Sequence, residues 1–323
     1  MKKLNLILPL MFILGVILGC SATKKEPEWQ KAQVLAEKVD HPQAITTDDQ
    51  FIYYVTGGTI ASLNEGTSGV WKMPLAGGQP VQLFKGCQID KDHVLLPDTF
   101  VLATDEKYVY WSSGAIWRTP KTGGESEKIT TGMPTEWALD DARIYWHNFG
   151  GENSPPTPIY VVDKKGGEAK AFTEPVITTG IVLDTDFLYW AQSDGIYKLA
   201  KSGGGKIKVF SPPEKQSVSG LSADKDNFYF TLGDGRNALM KLNKLGGEPQ
   251  KIAPEINHIY KFYTDGKFIY FIKNEGSFET TLNKVSVNGG EITRLDNGYL
   301  ASFTVGTDKV FITDIARIYS LAK

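Results

Sequence analysis

Four histidines, a lone mid-chain cysteine and six regularly placed aspartates are the side chains of this 323-residue sequence best suited to chemistry. His41, His93, His147 and His258 show no H-x-x-x-H pair, so no two are spaced to share a metal. His93 and His147 fall in segments of variable length and are candidates to meet there. Cys87 has no evident base near it in sequence, which favours a partly buried thiol over a nucleophile. No G-x-S-x-G occurs, and the glycine pairs stand between strands rather than before helices, so they do not cradle phosphate. No motif calls for a cofactor or a metal. Asp48, Asp105, Asp140, Asp184, Asp224 and Asp265 each precede a tyrosine by five residues. Calcium ligation would need a second carboxylate recurring with them, and none does. An Asx-turn, in which each carboxylate bonds its own backbone, is the reading that remains.

Those aspartates belong to a repeat. An apolar residue, a tyrosine and an aromatic recur at 52–54, 109–111, 144–146, 188–190, 228–230 and 269–271, with a degenerate copy at Val310-Phe311-Ile312. Successive anchors are 57, 35, 44, 40, 41 and 41 residues apart. A second column follows at Trp71, Trp117, Tyr160, Tyr197, Met240, Asn283 and Tyr319, and after the first six a Gly-Gly pair begins six residues later. Each unit reads as four short strands: one before the aspartate, one holding the anchor, one before Gly-Gly and one after it. Gly-Gly suits a type I′ hairpin, whose two central residues need positive φ. Consecutive apolar positions in the second strand require cover on both faces, as in a blade between two others.

The predicted fold is all-β, a single seven-bladed propeller of four-stranded blades over residues 32–323. The seventh unit reaches Lys323 without its Gly-Gly or fourth strand, while Ala32–Ala36 upstream has no hairpin partner. Leu35 precedes Tyr53 by 18 residues, within the 16 to 20 seen for the other fourth strands. The N-terminal strand is therefore expected to complete the last blade. The repeats resemble the bacterial propellers grouped with YWTD and TolB-like repeats, on the strength of the Tyr-Trp pairs and Gly-Gly turns. Those groups commonly have six blades, so the resemblance implies architecture and transfers no ligand site.

In such a ring the Asp and Gly-Gly turns share one face and are uniform. The opposite face carries the variable connections at 57–69, 85–98, 147–158 and 273–281, where binding is expected on a rigid scaffold. Channel-lining positions, nine before each anchor, are Ala44, Val101, Glu136, Gly180, Gly220, Lys261 and Ser302. Glu136 and Lys261 carry the charge among these and stand three blades apart. They would pair, hold opposite ends of a polar ligand, or stand solvated at the mouth. Trp137 and Phe262 follow them in sequence, and His147 with Phe149 lies in the blade 3 connection. These six residues form the candidate binding site for a protein or glycan. A lyase or hydrolase using Glu136, Lys261, His147 or His93 is the competing reading.

The N-terminus supplies an address. Lys2 and Lys3 precede an apolar run from Leu4 to Leu18, too short to span a bilayer at about 20 residues. Ile17-Leu18-Gly19-Cys20 resembles the lipobox of bacterial lipoproteins. That resemblance implies cleavage after residue 19, acylation of Cys20, a tether over 20–31 and a bilayer as partner. Ser21 in place of aspartate implies the outer membrane if the organism is Gram-negative. Removing the two leader lysines leaves 33 basic against 37 acidic residues, with no basic excess to attract nucleic acid. One cysteine then remains, so an intramolecular disulfide is ruled out and the core must supply stability. A monomeric ring is expected.

Overall fold

The computed structural model describes residues 32–57, 64–88, 94–95, 101–148, 155–233, 237–256, 259–276 and 279–323. The expected leader, Cys20, the tether, His93, Phe149 and His258 lie outside the described residues.

Seven antiparallel four-stranded sheets form the blades of a closed ring. Blade 3 runs Pro134–Leu139, Arg143–Asn148, Ile159–Asp163 and Lys170–Ala171 from inside to outside; blade 6 runs Ile259–Thr264, Phe268–Gly276, Glu279–Ser286 and Thr293–Gly298. Blade 7 takes three strands from the C-terminal end, Ser302–Val305, Lys309–Thr313 and Arg317–Ala322. Its outer strand is Gln33–Glu37, in the register Gln33↔Ser320 to Glu37↔Arg317. The expected closure is thus present. An added two-stranded ribbon, Cys87–Gln88 with Val94–Leu95, stands in the long connection between blades 1 and 2.

The repeat is explained by strand periodicity. Successive side chains point to opposite faces, so the tyrosine of each anchor packs on the next blade and the following aromatic on the previous one. Tyr110 sits in the core between blades 2 and 3 while Trp111 sits between 1 and 2. Tyr145 and Trp146 then serve the 3–4 and 2–3 junctions. Seven apolar clusters result, one per junction, and Leu35, Ile45, Met73 and Phe311 form the one that seals blade 7 to blade 1. Trp111, Trp146 and Trp190 are fully buried. Rings of this size remove roughly 150–250 Å² each, contributing up to about 4–6 kcal/mol at ~25 cal/mol per Å². The second sequence column also finds its reason: Trp117, Tyr160 and Tyr197 stack on Trp111, Trp146 and Trp190 at centroid distances of 5.8, 5.5 and 5.6 Å.

The Asx-turns form as expected. Asp105 Oδ1 accepts from the amides of Lys107 and Tyr108, and its Oδ2 accepts from the Tyr110 hydroxyl at 2.5 Å. The structure adds a partner that lies one unit further along the chain. Lys164, two residues before the Gly-Gly of blade 3, reaches back to Asp105 at 3.0 Å. Lys121 does the same for Asp48, Lys201 for Asp140 and Lys323 for Asp265. These pairs staple blades 1–2, 2–3, 3–4 and 6–7 along the uniform rim, while the 5–6 junction carries Val287 at the lysine position. At the closure junction all three groups change together: Gly306 replaces the aspartate, Phe311 the tyrosine and Leu75 the lysine. Phe311 and Leu75 then pack in one apolar cluster. Changing one group alone would leave a partly solvated charge without its partner, at a cost of at most about 2 kcal/mol.

The glycine pairs correct the expected turn type. In blade 1 the Gly77 amide bonds the Pro74 carbonyl at 2.9 Å, and the central residues Leu75 and Ala76 have negative φ. Gly77 and Gly78, at φ 86° and 130°, follow the turn instead of forming its centre. The turn is therefore not type I′. Positive φ is still required at both positions, because the chain must reverse before strand pairing resumes at Val81.

Candidate functional site

Glu136 is the third residue of the inner strand of blade 3, just past a bulge and opposite His147 in register. Half-buried in the ring, its carboxylate makes no hydrogen bond or ion pair among the described residues. Burial pushes its pKa above the ordinary value, and the Lys261 ammonium pulls the other way without overcoming it. Lys261 occupies the equivalent place in blade 6, also following a bulge. Its Nζ lies 5.4 Å from the centre of the Tyr263 ring, and Tyr263 in turn packs edge-on against Phe303 at 5.2 Å. The two charges thus share a field but do not close on each other.

What surrounds them is small. Ala44 and Ser302 are buried, and Gly180 and Gly220 carry no side chain. Gly220 must be glycine on two counts: its φ is +64°, and an added Cβ would stand 2.5 Å from Cε1 of Phe262. That contact shows the role of Phe262, which is buried at the blade 5–6 junction. Trp137 likewise packs in the 2–3 junction, paired with Trp146 across the strands. Both are core aromatics beside the site.

His147 is placed differently from expectation. It stands at the end of a strand, buried, with Nε2 3.1 Å from the Val176 carbonyl and 3.2 Å from Thr157 Oγ1. Thr157 and Val176 themselves form an isolated bridge, so the imidazole pins the blade 3 connection. Burial lowers its pKa against those hydrogen bonds, keeping the ring neutral near pH 7. His41 is exposed and bonds Asp40 at 2.6 Å, on the same loop face.

Sequence reasoning missed a set of exposed apolar residues on that face. Met133, Ile177 and Tyr299 lie in the connections entering blades 3, 4 and 7, and Ile315 lies in the turn between the second and third strands of blade 7. Ile177 is 66% exposed. Their only signal in the sequence is an apolar residue in a connector, where no blade needs it. Exposed apolar residues in the connections of a rigid scaffold suit a partner surface. The uniform face is not featureless either. A cavity of about 760 Å³ lies where Gly306 replaces the aspartate, lined by residues that include Asp48, Asp265, Lys284, Asp308 and Lys323. Among the described residues no group of three or more His, Cys, Asp or Glu side chains is placed to hold a metal ion.

The unpartnered carboxyl makes a stability prediction. A carboxyl whose pKa rises on folding binds its proton more tightly in the native state, so its ionisation costs stability at every pH above that raised value. Glu136→Gln is therefore expected to raise the melting temperature at pH 7, and the gain should vanish below about pH 4, where the unfolded carboxyl is also protonated. Thermal melts at the two pH values check this.

No family model matches the chain, and no curated protein matches it either. Solved structures do match in shape. The extracellular domain of a hybrid two component system from B. thetaiotaomicron superposes with TM-score 0.65 at 11% identity, covering 91% of this chain and 39% of that one. Oligogalacturonate lyase in complex with manganese gives 0.64 at 13% identity, covering 90% and 89%. Puromycin hydrolase gives 0.63 at 10% identity, covering 91% and 54%. The chain is thus a seven-bladed β-propeller, and at these identities the likeness extends to the fold alone.

Proposed function

We propose that this chain is an envelope lipoprotein, anchored through an acylated Cys20, whose ring is a non-catalytic binding module. Its partner is a protein or glycan held on the variable-loop face, with a polar group entering the channel mouth between Glu136 and Lys261. One observation carries the reading: two opposite charges are held on a rigid ring, neither neutralised by the other, and Glu136 has no hydrogen-bond partner among the described residues. An uncompensated polar group in such a place is stabilised by a ligand that brings the missing bonds. Likeness to an extracellular domain accords with an address outside the cytoplasm.

Capture from detergent-solubilised envelopes and a glycan screen test this, using the wild-type ring and the Glu136→Gln/Lys261→Met variant. The expected result is a specific partner whose binding the double substitution weakens by tenfold or more, about 1.4 kcal/mol, without loss of thermal stability. A purified protein that binds nothing specific yet turns over a substrate would overturn it. Catalysis at the same mouth is the second reading, favoured by the raised pKa of Glu136, which suits a proton donor. Against it, His147 is committed to Val176 and Thr157.

A further inference from the structure

The path of the N-terminal strand bears on which way the ring faces. Gln33, at the start of that strand, donates from Nε2 to the carbonyl of Ala76 in the blade 1 Gly-Gly turn at 3.4 Å. Its Oε1 accepts from Lys309 Nζ at 2.7 Å, just past the 1–2 turn of blade 7. Both neighbours belong to the uniform face. Four residues later Glu37 pairs with Arg317, and Val39 bonds Ala316, beside the loop-face turn at Asp314. The strand therefore runs from the uniform face to the loop face, and the chain leading back toward Cys20 departs from the uniform face.

Resting on the anchor reading above, we propose that the uniform face, with its Asp and Gly-Gly turns, lies against the lipid bilayer. The variable-loop face and the Glu136–Lys261 mouth then point away from it. Length supports this orientation. Twelve residues, 20–31, separate the anchor from the ring, and a flexible chain of twelve residues spans about 20 Å on average. Turning the loop face to the lipid would first use about 17 Å of that reach, the length of the five-residue strand. The uniform face also tolerates the position. Much of its charge is mutually paired, through Asp48–Lys121, Asp105–Lys164, Asp140–Lys201 and Asp265–Lys323, and no basic excess is needed to hold it there. Leu245, 99% exposed, stands at one of its turn tips.

The test uses the full lipidated chain on phosphatidylcholine vesicles bearing a headgroup-labelled acceptor lipid. In a Cys87→Ser background, one dye is placed at Lys225→Cys in the blade 5 Asx-turn and, in a separate variant, at Ile177→Cys on the loop face; both positions are exposed. Energy transfer to the lipid is expected to be several-fold stronger from position 225 and insensitive to salt. Equal or reversed transfer on protein that floats with the vesicles overturns the orientation alone. Protein that fails to float, or floats equally well as Cys20→Ser, overturns the anchor and the orientation with it. Melting of each variant confirms that the ring is intact.

Discussion

Deleting residues 31–38 is expected to unfold the ring near room temperature or to lower its melting point by more than 15 °C. The segment contributes the outer strand of blade 7, whose ladder runs from Gln33↔Ser320 to Glu37↔Arg317. It also contributes Leu35, which packs with Ile45, Met73, Phe311 and Ile318 in the cluster sealing blade 7 to blade 1. A buried leucine truncated to alanine costs roughly 2–5 kcal/mol. Losing the strand's hydrogen bonds adds about 1 kcal/mol each. The total approaches the whole stability of a typical domain, about 5–15 kcal/mol. Leu35→Ala should reproduce the cavity term alone and lower the melting point by a smaller amount. Thermal unfolding of both variants measures this, and an unchanged melt for the deletion would remove the closure from the account.

Acid is expected to loosen the ring at its rim over a defined window. All six turn aspartates have lowered pKa values. For Asp105 burial pushes upward, but bonds from Tyr110, the Tyr108 and Lys107 amides and Lys164 outweigh it and bring the value to about 2. A carboxyl with a depressed folded pKa contributes stability that is complete above its unfolded value, near 3.8, and is lost as pH falls through about 2. For Asp105 the shift corresponds to at most about 2 kcal/mol, since the side chain is partly solvated. Six such groups acting together should produce a steep fall in melting temperature between about pH 4 and pH 2. Asp105→Asn should shallow the slope while lowering stability at pH 7. A slope unchanged by that substitution would assign the acid sensitivity elsewhere.

Much of this architecture was legible because strand periodicity writes burial directly into residue order. Tyr110-Trp111 must face two blades, and only a ring gives every unit two neighbours. Leu35 was legible for a similar reason, as an apolar strand without a local partner. The lysines at 121, 164 and 201 stood in the sequence at a fixed offset from Gly-Gly, yet their role, like that of Lys323, was hidden because each pairs with an aspartate in the preceding unit. The simultaneous change to Gly306, Phe311 and Leu75 was visible only once that pairing was known. The turn type was misjudged because both glycines do have positive φ, and only the Gly77–Pro74 bond shows where the reversal occurs. At the site, the alignment put Glu136 and Lys261 at equivalent places of two units, and both follow a bulge in the first strands of blades 3 and 6. It could not show that Trp137 and Phe262 turn into the blade junctions, or that His147 is committed to a neighbouring connection, because those outcomes depend on side-chain packing between units.

The most direct test of the central claim is hydrogen exchange on the ring with and without its captured partner. Protection is expected at 134–139 and 259–264, and in the connections that carry Met133, Ile177 and Tyr299. Protection confined to the Asp and Gly-Gly turns, or centred on the cavity beside Gly306, would contradict it.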